Sequence, residues 1–309
     1  QEAPAASGRP LGALFLPPAM AGADEEYRLL LTLEEATGAA RQGLAPELLR
    51  ISFGPQHRRQ PHAALDVELE GRWEEALRAN PRIFDGSKFR LHRIKWADDG
   101  SAVELDLGLT GYREYLGTNR LPEDLRQRLE QDGLRDFGDR CAHLSNALGC
   151  EALLLTADER AVMLRRSGAV STHAGLYNGP SGHPEPKSAG LEAQSSTGSE
   201  EEVERVRKEL FDSVLQEIQD ETNVPRESLS PPLLMGCMAD ATGKPDVLFL
   251  VRTSLDAAGV QECYAKGAEE GWESDRLAFC PAAELSACGL PMTAVTRAAV
   301  ACWLRMRAA

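Results

Sequence analysis

The segment 208–225 constrains the fold more than any other part of the chain. Leu210, Phe211, Val214, Leu215 and Ile218 recur at helical spacing and form one apolar stripe that has to be buried. Pro225 stops the run. The spacing predicts a long helix over 199–222, entered from a Gly-, Pro- and Ser-rich loop over 179–198. On this helix Glu217 and Glu221 lie one turn apart and project from the same side, with Asp220 and Glu209 on the adjoining arc. Like charges at that spacing cost a helix a few tenths of a kcal/mol, roughly. A divalent cation reverses the sign, and hard oxygen ligands suit magnesium. A solvated acidic face produces the same pattern. Two features favour the metal reading: the carboxylates flank the apolar stripe, and they follow Gly182-His183-Pro184-Glu185-Pro186.

Elsewhere the sequence predicts strands near 26–33, 102–109, 247–251 and 277–280, a turn feeding a strand over 84–92, and helices over 65–79, 121–131, 256–266 and 293–307. Two apolar runs, 153–156 and 161–165, flank Ala157-Asp158-Glu159-Arg160 and read as a hairpin. Helices interleaved with hairpins give an α/β or α+β class with a mixed sheet. The chain has 309 residues and carries a net charge of -14, from 48 Asp plus Glu against 34 Lys plus Arg. That balance excludes a general nucleic-acid binder, which needs a basic footprint. No stretch is long and apolar enough to span a bilayer, so no membrane partner is expected. Seven cysteines without C-x-x-C spacing read as free thiols in a reducing, intracellular compartment, cytoplasmic or nuclear.

The stretch Gln216-Glu217-Ile218-Gln219-Asp220-Glu221-Thr222-Asn223-Val224 resembles the Nudix box, a loop–helix–loop motif. Gln216 stands where that box has arginine, Asn223 where it has glycine, and the loop after Gly182 is longer. Further motifs resemble the UDP-sugar-hydrolysing branch of the Nudix family found in animals. They are Phe84-Asp85 with Lys88-Phe89-Arg90-Leu91-His92, Gly108-Leu109-Thr110 with Tyr112-Arg113, Leu116-Gly117-Thr118-Asn119, and Leu164-Arg165-Arg166-Ser167. The resemblance runs in order from about residue 26 to the C-terminal helix and is weaker after Pro225.

The resemblance implies a Nudix α/β/α sandwich over 145–309 and an N-terminal α/β subdomain over 20–144 that contributes base-binding residues. Residues 1–19 read as a flexible extension. It implies magnesium-dependent hydrolysis of a small nucleotide sugar, UDP-glucose or UDP-galactose, to UMP and hexose 1-phosphate. The metal ligands carried over are Glu217 and Glu221, and the substrate contacts are Phe84, Tyr112, Arg166, Ser171, Asn178, His183 and Glu185. Ser171 replaces the family's alanine and Asn178 its aspartate. Phe84 and Tyr112 suit a stacked base. Arg166 suits a phosphate, and its strand neighbour Arg165 must face the other way. Glu217, Asp220 and Glu221 all stand as candidates for the base. Two other functions fit the same residues: hydrolysis of another nucleoside diphosphate derivative, and a catalytically silent binding protein.

Overall fold

The computed structural model describes residues 27–81, 83–168, 173–191 and 197–308. The extension expected at 1–19 and the candidate Ser171 lie outside the described residues. In chain order the elements are β1 (Tyr27–Leu31), β2 (Leu49–Phe53), α1 (Ala63–Ala79), β3 (Ser87–Trp96), β4 (Val103–Gly111), α2 (Tyr112–Gly117) and α3 (Glu123–Phe137). There follow β5 (Gly149–Leu155), β6 (Arg160–Arg166), β7 (Tyr177–Asn178), β8 (Ser181–Gly182) and α4 (Glu200–Thr222). The chain closes with β9 (Leu233–Asp240), β10 (Pro245–Arg252), α5 (Ala257–Ala265), β11 (Ser274–Pro281) and α6 (Ala294–Ala308).

The large sheet runs β1-β9-β10-β5-β6-β11, with β5 and β10 parallel and the other neighbours antiparallel. Along β5 the side chains alternate between two cores. Cys150, Ala152 and Leu154 join α4, while Leu153 and Leu155 join α6. Both faces are covered, which is why β5 reads as a continuous apolar run. The predicted stripe of α4 is buried as expected, Val214 and Ile218 completely. On the far face Ala298, Ala299, Cys302 and Trp303 of α6 cover Met163, Met235 and Leu248. The result is the α/β/α sandwich with a mixed sheet that the sequence predicts.

A second sheet, β2-β4-β3, lies wholly within 49–111. Its Phe53, Phe89, Leu105 and Leu107 share the core of α4, so α4 is wedged between the two sheets. β1 comes from the same N-terminal region but adds to the edge of the large sheet through β9.

Strands β2, β7, β8 and β9 are additions to the sequence reading. One expectation is corrected. Cys280 and Cys288 form a disulfide, with Cα atoms 6.3 Å apart, because a turn over Ala282–Ala287 folds the chain back on the end of β11. The other five cysteines are free. Among the described residues no helix is long and apolar enough to cross a membrane.

Candidate active site

The site forms where the large sheet splits. β5 and β6 pair only at Leu155 and Ala161, then diverge. The gap is filled by the chain between them in space: β7 pairs with β6, and β8 pairs with β5. The C-terminal half of α4 faces this gap. Its N-terminus is fixed by a capping box between Ser199 and Glu202. Its C-terminus ends at Asn223, in the left-handed conformation at φ 58°, with its side chain donating to the Cys263 carbonyl at 3.2 Å. Asparagine tolerates that conformation better than other residues with a side chain, which explains how it replaces the glycine of the motif.

Glu217 and Glu221 meet the loop through backbone donors. The His183 N–H donates to Glu217 Oε1 and the Ser181 N–H to Glu221 Oε2, both at 3.3 Å. Gly182 sits between these donors, and a Cβ there would lie 1.8 Å from Glu217 Oε1. Burial, with the charges of Glu270, Asp220 and Glu273, pushes the Glu217 carboxyl up to about 7. Burial, with the charges of Glu217 and Glu273, holds the Glu221 carboxyl well above the usual range. Glu270 and Glu273 are themselves raised, chiefly by burial. They come from the turn before β11, which is tied to the end of α4 where the Glu270 N–H donates to the Asp220 carbonyl at 2.8 Å. The sequence reading missed both. The only signal was an acidic run, Glu269-Glu270-Gly271-Trp272-Glu273, about fifty residues from the helix it approaches.

The remaining candidates fall into three places. Asn178, on β7, donates to the Ser181 hydroxyl at 2.8 Å, next to the N–H that holds Glu221. Arg166, at the end of β6, acts electrostatically on Glu221, Glu151 and Glu273, whereas Arg165 faces away into a paired contact with Asp275 at 2.8 Å. Asp220 accepts from the Gln216 side chain at 2.8 Å, towards solvent. His183 is held neutral by burial and by the nearby Lys244 and Lys88 charges. Glu185 accepts from Lys88 Nζ at 2.8 Å, and its N–H donates to Glu209 at 2.8 Å. Phe84 precedes β3 and Tyr112 opens α2, and the two segments meet where the Tyr112 N–H donates to the Gly86 carbonyl; Phe84 is 75% exposed. Tyr112 also packs against Trp73 and Tyr115.

Beneath the loop, Glu151 is buried, and neither carboxyl oxygen has a hydrogen-bond partner of good geometry. Burial pushes it up to about 8, so it is mostly neutral at pH 7.

The donor set of Glu217, Glu221, Glu270 and Glu273 fits a hard divalent cation. It is all oxygen, it is partly desolvated, and its members repel one another. Among the described residues the group whose three ligand atoms lie within 4.8 Å of one another is a different one, His57, His92 and Asp106, at the small sheet. It suits a cation poorly. Arg93 donates to Asp106 at 2.8 Å, Arg90 contacts His92 at 3.2 Å, and Ser52 contacts His57 at 2.8 Å.

The chain is 40% identical over 242 residues to the uridine diphosphate glucose pyrophosphatase NUDT22 of Bos taurus, spanning 77% of this chain and 82% of that protein. It is equally identical over the same length to the Homo sapiens protein of that name, spanning 77% and 79%. It is 34% identical over 266 residues to Nudix hydrolase 9 of Arabidopsis thaliana, spanning 81% of each. No protein-family model matches the chain. With the sandwich fold and the carboxylate cluster, these likenesses define an enzyme that hydrolyses a diphosphate bond. The chain belongs to the Nudix hydrolase family, in the branch that includes the uridine diphosphate glucose pyrophosphatases.

Proposed function

We propose that the protein hydrolyses UDP-glucose and UDP-galactose to UMP and the hexose 1-phosphate, with magnesium held by Glu217 and Glu221 and supported by Glu270 and Glu273. The observation that carries this reading is the placement of Glu217 and Glu221 against the 181–183 loop, electrostatically coupled to Glu270, Glu273 and Arg166, in a chain 40% identical to curated UDP-glucose pyrophosphatases. Magnesium, when bound, neutralises the diphosphate and makes the attacking water more acidic.

The chain's own groups do the rest. Arg166 grips a phosphate oxygen with charge-assisted hydrogen bonds. The neutral His183 ring donates one N–H to a phosphate or sugar oxygen. Asn178 and Ser181 fix the strand–loop that aims Glu221. A carboxylate of the cluster takes the proton of the attacking water, and the pyrophosphate bond breaks with UMP and the sugar phosphate as products. The segment 20–144 supplies the base platform, Phe84 and Tyr112, and links it to the loop through Lys88 and Glu185.

The test is release of UMP and glucose 1-phosphate from UDP-glucose, with and without magnesium, alongside ADP-ribose as a competing substrate. Magnesium-dependent release from UDP-glucose in preference to ADP-ribose is expected. The E217Q/E221Q double variant should lose turnover while still folding and unfolding in one cooperative transition. An active double variant overturns the metal site, and preference for ADP-ribose overturns the substrate.

A further inference from the structure

Trp272 presents an indole to solvent, 59% exposed, from the turn that also carries Glu270 and Glu273. A free-swinging loop would explain that exposure, but this turn is pinned. The Glu270 N–H donates to the Asp220 carbonyl at 2.8 Å, and the Glu273 N–H to the Glu270 carbonyl at 2.9 Å. The Ser167 N–H donates to the Glu273 carbonyl at 2.8 Å, and the Ser167 hydroxyl to the carbonyl of Trp272 itself at 2.7 Å. Ser167 directly follows Arg166, the proposed phosphate ligand. These bonds therefore hold the backbone that carries an exposed aromatic side chain next to Glu273 and to the strand end that carries Arg166.

Helix α4 shows how this indole stands relative to the proposed base platform. The N-terminal segment reaches the helix near Glu209, through Lys88, Glu185 and the Glu185–Glu209 contact. The Trp272 turn reaches it at Asp220. At a rise of about 1.5 Å per residue, these two attachments are roughly 16 Å apart along the axis. Glu217 and Glu221 lie at the Asp220 end. Phe84 and Trp272 are both among the exposed large hydrophobic residues, and the segments that carry them join α4 at these two separate levels.

We propose that Trp272 is a specificity residue against which the hexose ring of the substrate stacks, while the Phe84 and Tyr112 end takes the nucleoside. The apolar C–H face of a pyranose matches the indole face, and the sugar lies on the far side of the diphosphate from the base. This inference rests on the nucleotide-sugar reading above.

The experiment compares wild type, W272A and W272F, each checked for an unchanged melting temperature. The readouts are KM for UDP-glucose, inhibition by UMP, and tryptophan fluorescence on adding glucose 1-phosphate with magnesium. W272A should raise KM about tenfold. W272F should keep most of the wild-type KM, and inhibition by UMP should be unchanged in both. Glucose 1-phosphate should alter wild-type fluorescence and leave that of W272F unaltered. An unchanged KM in W272A overturns the proposal. So does a loss of UMP affinity in step with KM, which would place the indole on the nucleotide. If wild type does not cleave UDP-glucose, the substrate reading fails instead, and the fluorescence response to glucose 1-phosphate still decides the role of Trp272.

Discussion

Gly182 shows how narrow the tolerances are at the level of a single residue. Its Cα stands where the loop presses against Glu217, and the two backbone donors beside it hold Glu217 and Glu221 in place. A methyl group there must push the loop or the carboxylate away. Gly182→Ala should therefore lower kcat/KM by about a hundredfold, the usual cost of an ångström-scale misplacement. Overpacking should cost about 1–3 kcal/mol of stability. Steady-state kinetics and chemical denaturation measure the two effects, and wild-type kinetics in this variant would mean that the contact is not needed in the working enzyme. Asn223 belongs to the same scale: its left-handed φ of 58° is legible in sequence only as a departure from a motif, until the backbone shows that asparagine meets the same requirement as glycine.

Among the elements, α4 carries the proposed metal ligands Glu217 and Glu221, and its stability begins far from them. Glu202 Oε2 accepts from the backbone N–H groups of Thr197, Gly198 and Ser199 at 2.9, 2.6 and 3.2 Å. This carboxylate satisfies donors that the helix start would otherwise leave open, and it sits at the positive end of the helix. Glu202→Ala should destabilise the protein by about 1–2 kcal/mol. Because Glu202 lies roughly 22 Å up the axis from Glu217, activity per folded molecule should be unchanged. Urea denaturation with parallel activity assays tests this, and a fall in kcat without loss of stability would contradict it. The sequence shows this helix clearly, because its stripe, its Ser199 to Glu202 start and its proline stop agree. The gap it faces is not legible in the same way. It exists because β5 and β6 part after one register pair, and β7 and β8, two residues each, are too short to carry a periodic signal.

At the level of the whole molecule, the site imposes a pH dependence on stability. Glu217, Glu221, Glu270 and Glu273 all have raised pKa values in the folded protein, against an ordinary 4.5. Between about 4.5 and 7 the folded chain therefore binds more protons at these groups than the unfolded chain does. Their contribution is most favourable below that window and is lost as pH rises through it. In the magnesium site proposed above, the ion would offset the repulsion only when the carboxylates are ionised, so it should raise the melting temperature more at pH 8 than at pH 5. Thermal melts with and without the ion test this. The E217Q/E221Q variant should show a shallower pH slope and little response to magnesium, and a variant that responds like wild type would place the effect elsewhere.

Local chemistry settled much of this protein before any contact was known. The amphipathic period of α4, the alternation in β4, the turn residues between β5 and β6, and the spacing of Glu217 and Glu221 are all properties of neighbouring residues. They are governed by a helical rise or a pleat that repeats along the chain. Tertiary structure alone decided the rest. It brought Glu270 and Glu273 to the end of α4, turned Arg166 inward and Arg165 out to Asp275, and joined Cys280 to Cys288. Those outcomes depend on which strands pair and where the sheet splits, and no periodicity along one segment encodes where a distant segment will cross it.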